Sequence, residues 1–272
     1  LVARFTSSGA LDTSFSGDGF VSTSLGSYND IANAVAIRSN GKIVIGGTDS
    51  NDFALVQYTS TGNIDTSFGT NGIVKTSIGS GSDSINALTV DEMRGLISVG
   101  GYSQNTNGDY LNDSVVAQYL DDGTLYWGFG SGGISVTRTS GADEFRSIAV
   151  ISDGSIIAGG FFAENAGSLY SPHWVQDASI AHYASGGALL ARSNAYYSNS
   201  TNPSVNILIS NTQGIAYETS LGGSSSSYSI YSAQINSQNY VIPSGGSITG
   251  GSSAVSISGL VQLPNGNFMI SG

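Results

Sequence analysis

The chain has no cysteine. That removes disulfides, zinc–thiolate sites and thiol nucleophiles together. Basic residues are nearly as scarce, with 8 Lys and Arg against 19 Asp and Glu in 272 residues, a net charge of -11. Nucleic acid demands a basic footprint for its phosphates, and an anionic membrane surface demands the same, so neither is an expected partner. No apolar run approaches the roughly 20 residues of a membrane helix, and no membrane insertion is expected. Proline occurs only 4 times, which excludes a Pro-rich linker or a collagen. Helical periodicity of useful length is missing as well. The 2 histidines are His173 and His182. A two-His metal site needs partners that the sequence does not identify.

Reactive motifs are also missing. No G-x-S-x-G stands in a strand-turn-helix setting. The Gly-rich run "GGSITGGSS" (245–253) has no following Lys and opens no helix, so it is no phosphate loop. The acidic neighbours Asp91/Glu92, Asp121/Asp122 and Asp143/Glu144 fall in turns or strand entries. A glycosidase needs two carboxyls about 5–10 Å apart across a cleft, and adjacent loop residues do not supply that. The chain is therefore expected to be no enzyme and to carry no cofactor.

What the chain does hold is glycine, 38 residues and about twice the usual share, with much Ser, Thr and Asn. Short β-branched strands joined by many turns give that profile. The strands come in copies, and internal repeats decide a fold before anything else does. One block reads "LVARFTSSGALDTSF" (1–15), "ALVQYTSTGNIDTSF" (54–68), "VVAQYLDDGTLYWGF" (115–129) and "SIAHYASGGALLARS" (179–193). Its aromatic falls at Phe5, Tyr58, Tyr119 and Tyr183. A second block reads "ANAVAIRSNGKIVIGG" (32–47), "INALTVDEMRGLISVGG" (85–101), "FRSIAVISDGSIIAGG" (145–160) and "ISGLVQLPNGNFMISG" (257–272). Each copy is two alternating apolar stretches around a polar turn with Gly, a β-hairpin signature. Asn or Asp before the turn glycine (Asn40, Asp153, Asn265) predicts positive φ angles in tight turns.

The unit is about 55–60 residues. Approximate units are 1–53, 54–114, 115–178 and 179–272, the last enlarged by insertions, in one repeat domain. The chain opens at Leu1 and stops at "FMISG", both mid-pattern, with no signal peptide visible, and reads as a segment of a longer or processed chain. Four strands are predicted per unit, in one copy Ala34–Ile37, Ile43–Gly46, Ala54–Tyr58 and Gly72–Thr76. Such a unit has two sheet faces and buries both only by stacking on neighbours. The expected fold class is all-β, a β-propeller-like array of four-stranded antiparallel blades.

"GALDTSFSGDGFV", "GNIDTSFGTNGIV" and "AVAIRSNGKIVIGG" resemble the delta-60 repeat, a tandem module of bacterial surface and secreted proteins. "LVQLPNGNFMISG" resembles its second half. The third copy, "TLYWGFGSGG", departs by carrying Tyr126 where the motif has Asp, and the fourth keeps only "GALL". The resemblance covers about 200 residues. It implies blade architecture and a bacterial surface or secreted setting, and it brings no catalytic residues; the absence of Cys with abundant Ser, Thr and Gly suits an exported bacterial or a virion-surface protein.

Enlarged loops on a rigid scaffold are where binding sits. "SLYSPHWV" (168–175) gathers Tyr170, His173 and Trp174, and "AYY" holds Tyr196 and Tyr197. These are the candidate ligand-binding residues, able to stack on sugar rings or partner side chains. The competing account makes them small local cores that pin long loops. Tyr228, Tyr231 and Tyr240 read as extra strands. Asp30, Asp83 and Asp143 each precede an apolar strand residue by five positions. They are weak calcium candidates, since a carboxylate accepting bonds from its own turn explains them without metal. The expected function is a structural and recognition module of an extracellular surface or virion fibre protein. Its partners would be subunits of the same assembly or a surface glycan. The alternatives are a carbohydrate-binding propeller and, further off, a glycan-acting enzyme.

Overall fold

The computed structural model describes residues 1–26, 29–105, 111–139, 141–165 and 174–195, and beyond these the strand residues of 204–271. Every regular element among them is a β-strand. The chain starts with a two-stranded sheet, β1 (Val2–Ala3) and β2 (Phe20–Val21). Three antiparallel meanders of four strands follow. They are β3 (Asp30–Ile37), β4 (Ile43–Asp49), β5 (Asp52–Tyr58) and β6 (Ile73–Thr76); β7 (Asp83–Asp91), β8 (Leu96–Gln104), β9 (Asn112–Leu120) and β10 (Ile134–Thr137); and β11 (Asp143–Val150), β12 (Ile156–Asn165), β13 (Trp174–Tyr183) and β14 (Leu189–Ala195).

The swollen tail of the repeat is a sheet in its own right. It contains β15 (Ser204–Asn211), β16 (Gly214–Ser220), β17 (Ser227–Ile235) and β18 (Val241–Ser244), with β19 (Ser247–Thr249) also paired to β17. Tyr228 and Tyr231 lie on β17, and Tyr240 lies outside the described residues. Last comes a separate hairpin, β20 (Gly259–Gln262) and β21 (Phe268–Ser271). Residues 191–195 are the end of β14 and residues 204–211 are β15.

Consecutive sheets stack through their first strands. β7 lies across β3, β4 and β5; β11 lies across β7, β8 and β9; β15 lies across β11, β12 and β13. The cores therefore sit between sheets, as expected of units with two apolar faces. One core joins Val44, Phe53 and Leu55 to Ile85, Ile97 and Val99 of the next sheet. The next joins Val116 to Phe145, Ile148, Ile156 and Tyr183.

The first strand of each meander carries a β-bulge at the same place, between Ala32 and Ala34, Ile85 and Ala87, and Phe145 and Ser147. The bulge turns one residue out of the ladder. In two sheets that residue is an asparagine reaching the neighbouring sheet. Asn33 Nδ2 donates to Ile85 O (2.9 Å) and Asn86 Nδ2 to Phe145 O (2.9 Å). The same bulge presses a first-strand carbonyl onto the closing glycine of the repeat. A Cβ at Gly47, Gly101 or Gly160 would lie 1.8, 1.9 or 1.9 Å from the carbonyl oxygen of Ile31, Ser84 or Glu144. The hairpin turns differ from expectation in one respect. Gly41 and Gly154 take positive φ (80° and 89°), but Asn40 and Asp153 do not. Their side chains instead accept from Lys42 N (3.0 Å) and Ser155 N (2.8 Å), closing Asx turns.

Candidate functional site

The repeated "DTSF" motif turns out to be joinery. Asp65 Oδ1 accepts from Ser67 N (3.1 Å) and Ser67 Oγ (2.6 Å), while Oδ2 accepts from Gln57 Nε2 (2.9 Å) and pairs with Lys42 Nζ (2.7 Å). These donors hold its carboxyl well below the usual aspartate range, with Lys42 and Ser67 the leading causes. Asp12 repeats the turn with Ser14, and Arg4 Nε bonds its Oδ2 at 2.8 Å. The turn delivers the motif's phenylalanine into the next sheet's core. Phe15, Phe68 and Phe129 are all fully buried. A backbone bond locks each seam: Ser16 N to Thr61 O, Gly69 N to Asp122 O and Gly130 N to Gly186 O (2.7–2.9 Å).

The repeat aromatic reaches back across the same seam. Tyr58 Oη donates to Thr23 Oγ1 (2.6 Å), Tyr119 Oη donates to Thr76 Oγ1 (2.9 Å), and Tyr183 Oη shares a bond with Thr137 Oγ1 (2.6 Å). Burial pushes the Tyr119 hydroxyl up to about 12. Gln57, Gln118 and His182 occupy one buried polar position beside these tyrosines. Gln118 Nε2 bonds Ser98 Oγ (2.9 Å) and His182 Nε2 lies 3.1 Å from Ser155 Oγ. His182 is therefore framework, in the place where its neighbours carry an amide.

Meander parity puts the second-to-third-strand links and the sheet-to-sheet crossovers at one end of the array. The first-strand aspartates stand at that end and cap the crossovers. Asp30 Oδ2 accepts from Leu25 N (2.7 Å) and Asp83 Oδ2 from Ile78 N (2.7 Å). Asp143 accepts from Thr139 N (2.8 Å), Thr139 Oγ1 (2.7 Å) and Ala163 N (3.2 Å). Burial raises the Asp143 carboxyl to about 6 and raises that of Asp83 as well. One oxygen of each serves a backbone donor of its crossover, Asp30 Oδ1 is buried without a partner, and among the described residues no three acidic or His side chains cluster as metal ligands would.

The same end holds a hollow of about 270 Å³ beside the crossover that follows β6. Ile78, Gly79, Ser103, Asn105 and the Arg138–Asp113 ion pair (2.6 Å) line it. Asp113 and Arg138 lie outside the repeat motifs, so periodicity does not single them out. Trp174 is the first residue of β13, paired with Asn165, and so begins a strand where a loop was expected. Tyr170, His173, Tyr196 and Tyr197 lie outside the described residues. The structure brings the three aspartates to one end and leaves each with its own crossover.

Stacked four-stranded meanders, locked by a contact set that repeats seam by seam, define a propeller-like blade array. A family model described as a β-propeller domain of unknown function (DUF5122) matches residues 38–68. That span runs from Arg38 through β4 and β5 to the buried Phe68. A crystal structure of a protein of unknown function from Bacteroides caccae is similar at a TM-score of 0.51 with 14% identity, over 88% of this chain and 69% of that one. A protein from Lactobacillus plantarum is similar at a TM-score of 0.39 and 11% identity, over 85% of this chain and 73% of that one. No curated protein matches the chain.

Proposed function

We propose that the chain is a non-enzymatic recognition and scaffold module of the delta-60 repeat kind. It would work on the outside of a bacterial cell or a virion, with its contact surface at the end that carries the capped crossovers. One observation supports this above the others. Across three seams the buried phenylalanine, the tyrosine–threonine bond and the backbone bond recur, while the link between second and third strands does not. That link is residues 50–51 in the first full sheet, 105–111 in the second and 166–173 in the third. A scaffold held constant beneath one variable edge is how binding loops are presented. The net charge of -11 suits a protein or glycan partner and disfavours polyanions.

The test replaces 105–111 and 166–173 with the short Ser-Asn link of the first sheet. Labelled protein is then applied to fixed bacterial cells and to a glycan array. The expected outcome is an unchanged far-UV spectrum with binding lost. Binding that survives both replacements, or turnover of an arrayed glycan, would overturn the proposal.

A further inference from the structure

The position two residues past the closing glycine differs in every full sheet. It is Asp49 in the first, Ser103 in the second and Phe162 in the third, each set in the ladder opposite an aspartate, Asp52, Asp113 or Asp177. Asp49 pairs with Lys75. Phe162 is fully buried and meets Phe145 edge-on at 5.7 Å, so it fills its end of the seam between the second and third sheets. Ser103 is too small to do the same in the seam before it. Its hydroxyl bonds Asp83, and the hollow of about 270 Å³ opens beside it. A water takes ~30 Å³, so the hollow has room for a small organic molecule.

Its walls narrow the chemistry. Asp113 is 8% exposed, and its Oδ2 accepts from Arg138 Nε at 2.6 Å. The pair presents a full charge of each sign and no net charge. A lone anion meets the buried carboxylate and a lone cation meets the guanidinium, so neither is favoured. A neutral molecule with hydroxyls gains from both, since a hydroxyl donates to a carboxylate and accepts from a guanidinium. The bond to Asp113 engages Nε, which leaves the terminal amino groups of Arg138 as a fork for neighbouring hydroxyls. Asn105 adds an amide that both donates and accepts. Ile78 and Val136 supply apolar surface, Ile78 packed on the core and Val136 42% exposed. A pyranose ring has the matching combination, a rim of hydroxyls and a face of C–H groups.

We propose that the hollow between the β6–β7 crossover and the ends of β8, β9 and β10 is a binding site for one neutral sugar ring, such as ends a glycan. Asp113 and Arg138 take its hydroxyls, and Ile78 and Val136 take its C–H face. The site lies at the contact end proposed above and rests on that reading, for which it names the ligand class and the contacting residues.

The full chain is tested by saturation-transfer NMR with the methyl glycosides of glucose, galactose, mannose and N-acetylglucosamine, and any that shows transfer is titrated by calorimetry. Saturable binding of at least one is expected, with a Kd of about 1 mM, ordinary for so small a ligand. Val136→Trp puts an indole into the hollow from an exposed strand position and is expected to abolish binding. Arg138→Lys keeps a cation beside Asp113 but removes the fork, and is expected to weaken binding about tenfold. Both variants are expected to keep the wild-type melting temperature. No transfer to any glycoside overturns the proposal. So does equal binding by wild type and a folded Val136→Trp chain, which places the sugar elsewhere. If Val136→Trp does not fold, equal affinity in wild type and Arg138→Lys overturns it. Loss of cell binding on loop replacement, with no glycoside bound, overturns the sugar site alone. A glycoside that binds here while no cell or arrayed glycan does supports the site and overturns the surface role.

Discussion

The closing glycines Gly47, Gly101 and Gly160 are fixed by a contact, not by a turn. At Gly101 a methyl group would meet the Ser84 carbonyl at 1.9 Å, and that oxygen is backbone and cannot swing aside. Gly101→Ala is expected to cost about 3 kcal/mol, the upper range for forcing atoms into a filled site, as read by urea unfolding. The glycine is conspicuous in the sequence, but its reason is not. A bulged residue breaks the period-two pattern, so the role of Asn33 and Asn86 becomes visible only when the bulge is seen. Asp143 makes a second case at this scale. Its buried carboxyl holds its proton up to about pH 6, against an ordinary value of 3.8. Between those values the native state binds more protons than the unfolded chain. Stability from this group is therefore full below about pH 4 and lost as pH rises through 6. Asp65, held low by Lys42 and Ser67, works the other way and loses its contribution as pH falls below 3.8. Unfolding of Asp143→Asn between pH 4 and 7 is expected to show a flatter pH dependence than wild type over the 4–6 window.

At the scale of elements, each meander leans on its neighbour through one phenylalanine and one tyrosine. Phe129→Ala should cost about 3–5 kcal/mol, as for other buried aromatic truncations. Tyr119→Phe, which keeps the ring and deletes the bond to Thr76, should cost about 1 kcal/mol. Both are checked by denaturant midpoints at constant m-value. The strands themselves were legible: alternation predicts 34–37, 43–46, 54–58 and 72–76, and the sheet runs 30–37, 43–49, 52–58 and 73–76. The extra residues at the link end include polar ones, Asp30, Asp49 and Asp52, which pair in the ladder without contributing an apolar signal, and apolar ones such as Ile31 and Phe53, which the expected strand limits left out. The sheet over 204–244 was not legible as a repeat. Gly214 and Gly222–Gly223 do stand near its first hairpin, but the flanking strands, "SVNILISN" and "GIAYETS", do not repeat the wording of the other copies.

Across the whole molecule, stability is a chain of nearest-neighbour seams. Arg38 shows it, being 5% exposed and paired to Asp121 and Glu92 of the following sheet. Arg38→Ala removes a buried cation from two solvent-accessible carboxylates and is expected to cost about 1–2 kcal/mol. Hydrogen exchange should rise in β3–β10 while β11–β14 stay protected, and uniform loss of protection would contradict the seam picture. The end that carries the crossovers was legible only in outline. Loop length pointed to it, but the pairing of Asp113 with Arg138 joins residues 25 apart that no motif connects. The seams also bear on how such a chain changes length. A tandem copy of the stretch from Asp30 to Ser82 carries its own bulge, Asn arm, Phe plug and hydroxyl pair, so both new joints resemble the old ones. Unequal recombination then adds or deletes one unit at a time without rebuilding a core, leaving the spare copy's links free to diverge.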